Sequence, residues 1–229
     1  KNVYPAFLIG EPGAGKSTSL LKLARELNKG FSTSSNAWAL YVPLSGYTES
    51  GLRNLICREI PPLNWSDIKL GLDSGNLTLL LDGLNECPSI HYEQCASELS
   101  DLIKEHSESK VFISTRRSHV PPFAVKTIEL RSMGKPRQQQ FLQNYMGGDL
   151  GAVRAFWSEL SSKTTVQLIA RSPILLRMAI WVWNDVGNLP GGLAELYSAF
   201  FDAWIRRELE KDLTAGSIRV WNEDQTRES

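Results

Sequence analysis

The chain has 229 residues, of which 42% are hydrophobic, and Lys plus Arg equals Asp plus Glu at 25 each. That is enough apolar chain for one large packed domain or two small ones. The zero net charge excludes a global field that would steer the protein to nucleic acid or to an anionic membrane.

Taken in chain order, "VYPAFLI" (3–9) reads as a buried strand that runs into a Gly-rich turn. Residues 16–29 carry Leu20, Leu21, Leu23, Ala24 and Leu27 at helical spacing. "AWALYVPL" (37–44) is a second strand, and 49–60 is a helix with Leu52, Leu55, Ile56 and Ile60 on one side. "LTLLL" (77–81) is the third strand. Tyr92, Cys95, Leu99, Leu102, Ile103 and His106 make a helical stripe after it. "KVFIST" (110–115) and "VKTIEL" (125–130) complete the strands. Short apolar strands alternating with amphipathic helices predict an α/β fold, with a parallel sheet covered on both faces.

Beyond about Leu130 the pattern changes. "PRQQQFLQNYM" opens a helix, with Pro136 suited to its first turn. Further helices are predicted near 149–160, 164–170, 173–183 and 192–211, the last with a wide apolar face. This half reads as a small all-helical domain whose aromatics belong to its core. The expected organisation is an α/β domain over 1–132, a helical domain over 133–212 and, over 213–229, a tail or the start of a further region.

Three cysteines, Cys57, Cys87 and Cys95, are too few and too odd for a disulfide framework. They fit a reducing, cytoplasmic compartment. Cys87, His91 and Cys95 fall at i, i+4, i+8, a spacing that would put three metal ligands on one helix face. No fourth ligand is in view, so core thiols and a surface His are the simpler reading. The longest apolar run, "PILLRMAIWVW", is interrupted by Arg177 and is too short to span a bilayer. The first residues lack the apolar stretch and cleavage site of a signal peptide. The abrupt strand-like start and the polar "WNEDQTRES" end are those expected of a piece of a longer protein.

"GEPGAGKS", Gly10 to Ser17, matches the phosphate-loop pattern G-x-x-x-x-G-K-[ST], between a predicted strand and a predicted helix as the motif requires. Gly10, Glu11, Pro12, Gly13, Ala14, Gly15, Lys16 and Ser17, with Thr18 following, form the candidate nucleotide loop. Gly10, Gly13 and Gly15 are expected to take backbone angles closed to other residues, so that successive N–H groups turn toward phosphate oxygens. The helix N-terminus adds partial positive charge. Lys16 is placed to reach the β- and γ-phosphates, and the Ser17 hydroxyl to ligate Mg2+.

"LTLLLDGLNE" supplies what such a loop lacks. An apolar strand ending in Asp82 presents the acid that holds Mg2+ directly or through water. Gly83 is expected to leave space beside the phosphates. Glu86 would face the γ-phosphate, where a carboxylate orients or deprotonates the attacking water. "VFISTRR" brings Ser114, Thr115 and Arg116 to the end of the fourth strand, with Arg116 as a γ-phosphate sensor. The candidate catalytic residues are therefore Lys16, Glu86 and Arg116, and the candidate metal ligands Ser17 and Asp82.

Together "FLIGEPGAGKST", "LTLLLDGLNE" and "VFISTRR" resemble the Walker A, Walker B and sensor 1 segments of NACHT-type NTPases. These are STAND-class signalling ATPases related to AAA+ and NB-ARC modules. "ARSPILLRMAIWVW" resembles the family's helical-domain segment, with Pro173 in the place of the proline that packs against adenine. "LPGGLAELYSAFFDAWIRREL" resembles the helix that follows. The resemblance covers most of residues 3–211. It implies a P-loop NTPase fold with a five-stranded parallel sheet in order 5-1-4-3-2, followed by a helical bundle. It also implies an ATP/ADP switch with Mg2+ that self-oligomerises when ATP is bound, and flanking effector and sensor domains, often in innate immunity or defence against phage. Two departures stand out. Asn85 occupies a position where the family often has Asp, and Asn cannot take a proton from water, so hydrolysis is expected to be slow. The winged-helix part is not recognisable in "LTAGSIRVWNEDQTRES".

Two other readings use the same loop. One is a kinase or nucleic-acid motor, against which stand the lack of an Arg-rich lid and of a basic, aromatic-lined track. The other is a non-hydrolysing scaffold with nucleotide as a structural ligand, which Asn85 favours. A GTPase is disfavoured because no N-K-x-D motif occurs.

Overall fold

The computed structural model describes residues 4–29, 37–123, 125–163 and 170–214. The chain divides into two compact units, Lys1–Ser132 and Met133–Ser229. The first contains β1 (Ala6–Ile9), α1 (Lys16–Lys29), β2 (Trp38–Pro43), α2 (Gly51–Arg58), α3 (Trp65–Asp73), β3 (Leu77–Asp82), α4 (Tyr92–Glu105), β4 (Lys110–Thr115) and β5 (Lys126–Glu129). The strands form one parallel sheet in the order β2-β3-β4-β1-β5. This is the order that the resemblance implied.

The period-two alternation of each strand divides the core into two layers. Phe7, Ile9, Leu79, Leu81 and Ile113 pack with Leu55, Ile68 and Leu99 of α2, α3 and α4. Leu8, Ala39 and Leu80 face the other way, against Leu20 and Ala24 of α1. Because helices cover both faces, β1 and β3 are buried along their whole length. In register, Ile9 lies opposite both Thr115 and Glu129, and Pro43 lies opposite Asp82. Every strand therefore ends along one edge of the sheet, and the residues just past those ends are neighbours.

Several boundaries differ from expectation. β1 begins only at Ala6, after Pro5, and the helix expected over 49–60 contracts to Gly51–Arg58. Helix α3 was not anticipated. It is short, and Leu70 on its outer side is 70% exposed while Ile68 and Leu72 are buried. Its N-terminus is a capping box: Asn64 accepts from the Ser66 N–H at 2.8 Å, and Asp67 accepts from the Asn64 N–H at 3.0 Å. At the sheet edge, the Asn28 amide of α1 donates to the Ala39 carbonyl at 3.0 Å and accepts from the Ala39 N–H at 2.8 Å. One side chain thus satisfies both outward groups of a β2 residue, where an open edge would invite another strand.

The second unit contains α5 (Lys135–Tyr145), α6 (Leu150–Ser162), α7 (Pro173–Val186) and α8 (Leu193–Thr214). Its core is built on Leu142, Phe156, Leu160, Leu176, Ile180 and Leu196. Phe156 meets Trp183 edge-on, with ring centroids 5.7 Å apart. Glu159 ties the α7–α8 connection to α6 by accepting from the Leu189 N–H at 2.6 Å and from Trp183 Nε1 at 2.9 Å. The expectation that the aromatics are core holds for Phe156 and, at the margin of the core, for Phe141, Trp157, Trp183 and Phe200, but not for the other aromatics of α8. Leu196 and Ala203 of that helix are buried, whereas Tyr197, Phe201 and Trp204 are exposed. Helix α8 continues to Thr214, so Leu213 and Thr214, expected in the tail, are helical. The rest of the expected tail, and the helix expected near 164–170 apart from Ala170, lie outside the described residues.

Candidate nucleotide site

The loop after β1 is shaped by its glycines, though not all in the same way. Gly13 and Gly15 have φ of 71° and 93°, the left-handed region that side chains resist. Gly10 does not share it. A Cβ there would lie 3.1 Å from the Leu130 carbonyl oxygen and 3.3 Å from the Leu130 Cβ. Gly10 is therefore required by close packing against the residue after β5, which donates its N–H to Ile9 at 2.8 Å. The loop turns through Glu11, whose carbonyl accepts from the Ala14 N–H at 3.1 Å. Helix α1 then starts at Lys16, and its first intrahelical bond runs from the Ser19 N–H to the Gly15 carbonyl at 2.8 Å. The N–H groups of that opening turn have no helical acceptor of their own. Ser17 and Thr18 are exposed beside them, as are Glu11 and Pro12 earlier in the loop.

Lys16 bends back over the loop and donates to the carbonyls of Gly10 at 2.7 Å and Glu11 at 3.2 Å. Partial burial, and then the positive charge of Arg116, lower its pKa, while Asp82, Glu86 and Glu11 oppose that shift. These groups act on one ammonium, so the three motifs meet at the shared edge of the sheet.

Asp82, only 7% exposed, is held from both neighbouring strands. Tyr41 of β2 donates to Oδ2 at 2.6 Å, and the Ser114 hydroxyl of β4 donates to Oδ1. Ser114 in turn accepts from the Gly83 N–H at 2.8 Å. Burial and then the bond to Asp82 push the Tyr41 hydroxyl well above the ordinary tyrosine range, so it remains a donor. Gly83 has φ of 76° and reverses the chain into the short 3-10 turn Leu84–Glu86. The space its missing side chain leaves is taken by Glu86: a Cβ on Gly83 would stand 3.0 Å from Glu86 Oε2. This corrects the expectation that the gap faces phosphate. Glu86 is exposed and Asn85 half-buried.

Arg116 is the first residue past β4 and is exposed. Its neighbour Arg117 is committed to Glu129, at 2.7 Å, whereas the Arg116 charge acts on Lys16. Pro173 belongs to the second unit, at the first position of α7. Cys87, His91 and Cys95 do not share a helix. Cys87 ends the turn after β3, His91 lies in a separate 3-10 turn, and α4 begins at Tyr92. Among the described residues no cluster of His, Cys, Asp or Glu is arranged to hold a metal through three or more ligands. No helix of the described residues is long and apolar enough to cross a membrane. Tyr41 was missed from sequence, because its role depends on β2 lying beside β3.

The residues fit a nucleoside triphosphate with a divalent cation. Cationic Lys16 and Arg116 and the glycine-shaped loop suit phosphate oxygens, and the buried, acceptor-only Asp82 carboxylate suits a hard metal ion. A glycine-rich loop opening a helix from a parallel strand, with an acid at the end of a second strand, defines a P-loop nucleotide-binding domain. A family model for the NACHT domain matches residues 4–149, and the chain belongs to the NACHT family of NTPases. No curated protein sequence matches the chain. Among solved structures, a chain in the structure of Drosophila ORC bound to DNA is similar in fold, with a TM-score of 0.50 and 12% identity. That likeness covers 96% of this chain and 64% of the other, so this chain spans less than two thirds of that protein's chain.

Replacing Gly83 with Ala forces a side chain into a left-handed conformation and against Glu86. We expect Gly83→Ala to lower stability by about 1–3 kcal/mol in urea denaturation. It should also impair nucleotide turnover more than nucleotide binding. Wild-type turnover in this variant would show that the Glu86 position does not matter.

Proposed function

We propose that this chain is the ATP-binding, slowly hydrolysing switch module of a larger signalling protein, and that its nucleotide state controls self-oligomerisation through this domain. The observation that supports the reading is the common edge at which β1, β3 and β4 end, with the loop to Lys16 following β1, Asp82 ending β3 and Arg116 following β4, and with the charges of Asp82, Glu86 and Arg116 acting on the Lys16 ammonium. In this reading residues Gly10 to Thr18 wrap the phosphates. Lys16 binds the β- and γ-phosphate oxygens. Ser17 and Asp82 hold Mg2+, which when bound neutralises charge on those oxygens. Glu86 orients the attacking water and accepts its proton, and Arg116 reads the γ-phosphate charge. Asn85 offers a hydrogen bond but no base, which supports slow hydrolysis. Family membership supports the switch role, flanking effector and sensor domains, and a part in innate immunity or defence against phage, inside the cytoplasm. We assign residues 1–132 to the nucleotide-binding domain and 133–214, to the end of α8, to the helical domain, with the remainder a tail or the start of a winged-helix region.

A second reading, a scaffold that binds nucleotide without hydrolysing it, rests on Asn85 alone. Glu86 separates the two. Glu86→Gln should keep ATP affinity and lose turnover by about 100-fold or more. A variant that hydrolyses ATP like the parent assigns the base to another group.

Lys16→Ala should weaken ATP binding by about 100-fold, on the order of 3 kcal/mol for a lost charge-assisted contact, as isothermal titration calorimetry would report. Unchanged affinity removes the phosphate-loop assignment. Arg116→Ala should bring the affinities for ATP and ADP closer together. A variant that separates them as well as the parent does would remove the sensor role.

A further inference from the structure

We propose that Tyr41 and Ser114 are positioning residues for the divalent cation that accompanies the nucleotide, fixing the Asp82 carboxylate from two sides before the cation arrives. The inference rests on the reading of the site as one for a Mg2+–nucleotide complex. It assigns work to two hydroxyls that contact neither phosphate nor metal in that reading.

The carboxylate torsion of an aspartate is broad and roughly two-fold. An unrestrained Asp82 would present its oxygens in many orientations. Here each oxygen receives one hydroxyl, Oδ2 from Tyr41 and Oδ1 from Ser114. The two donors come from strands on opposite sides of β3, so together they fix both the tilt and the plane of the group. A carboxylate oxygen accepts more than one bond, and each Asp82 oxygen keeps capacity for a metal or a metal-bound water.

Both donors are themselves constrained. Ser114 accepts from the Gly83 N–H, which leaves its own proton for Asp82. The Tyr41 ring packs in the layer formed by Leu8, Ala39, Leu80 and the α1 residues Leu20 and Ala24. Helix α1 also carries Lys16 and Ser17 at its start. Tyr41 thus registers the acid on β3 against the helix that presents the other proposed metal ligand. Partners of this kind, which orient a ligand without touching the metal, typically carry 10–100-fold in metal affinity.

The test is a Mg2+ titration of nucleotide binding, read by a fluorescent ATP analogue, with a parallel measurement in EDTA. Tyr41→Phe keeps the ring in its packing layer and removes one hydroxyl. We expect its Mg2+ midpoint to rise about 10-fold while affinity in EDTA stays within about 2-fold of the parent. Ser114→Ala should behave alike, and Ser114→Thr should restore the parent midpoint. Should Tyr41→Phe fail to fold, the Ser114 pair carries the same test. Parent-like Mg2+ midpoints in the folded variants overturn the inference and leave the nucleotide reading standing. Equal loss of affinity with Mg2+ and with EDTA also overturns it, by assigning the hydroxyls a merely structural role. If the parent protein itself binds nucleotide equally with Mg2+ and with EDTA, the metal reading falls and this inference falls with it.

Discussion

A carboxylate that is almost fully buried must be compensated, and the arrangement around Asp82 follows from that constraint. An ionised acid taken out of water costs several kcal/mol unless partners replace the lost solvation. Asp82 obtains them from hydroxyls on the strands to either side. Those partners require β2, β3 and β4 to be adjacent and in a register that ends all three together. The sheet provides this because its strands are parallel: Pro43 stands opposite Asp82, and Ile9 opposite Thr115. The same alignment sets the loop after β1 beside the acid. Burial of Asp82, sheet order and the composition of the site are one structural fact seen at three scales.

Around that acid, charges of both signs gather in a chain that is neutral as a whole. Lys16 feels Arg116 as a like charge and Asp82, Glu86 and Glu11 as opposite charges. A lysine set among a second cation and three acids suits a ligand that itself carries both signs, polyphosphate with a divalent metal. Arg117 pairs with Glu129 at 2.7 Å and also feels the charge of Glu11. Two adjacent arginines therefore have different environments, one braced against β5 and the other left with the site.

Much of this was legible in the sequence, for physical reasons. Strands buried on both faces read as continuous apolar runs, so "LTLLLD" announced itself, and the phosphate-loop pattern sat in the strand-to-helix context it needs. What was hidden depended on tertiary neighbours. Helix α3 is short and half-exposed, and its periodicity is weak. The Asn64–Asp67 capping box was its readable sign. Gly10 looked like the other loop glycines, but its reason is the approach of Leu130. The space at Gly83 suggested room for phosphate, and the chain's own Glu86 fills it. Tyr41 carried no motif at all, since a tyrosine in a strand gains meaning only when the next strand is known. In α8 both sides of the helix are apolar, and periodicity could not say that Leu196 turns inward and Phe201 outward. That Asp82 would end a strand and Arg116 follow one was readable from the apolar runs before them. How the acid is held in place was not.

The central claim is that these motifs form one site that binds ATP with Mg2+ and hydrolyses it slowly. The most direct test incubates the purified protein with Mg2+ and ATP labelled on the α- and γ-phosphates, and follows retained nucleotide and released phosphate together. The account predicts stoichiometric retention of the α label, with a single slow release of γ-phosphate that leaves ADP bound. Failure to retain nucleotide would contradict the site, and rapid multiple turnover without any partner would contradict the slow switch.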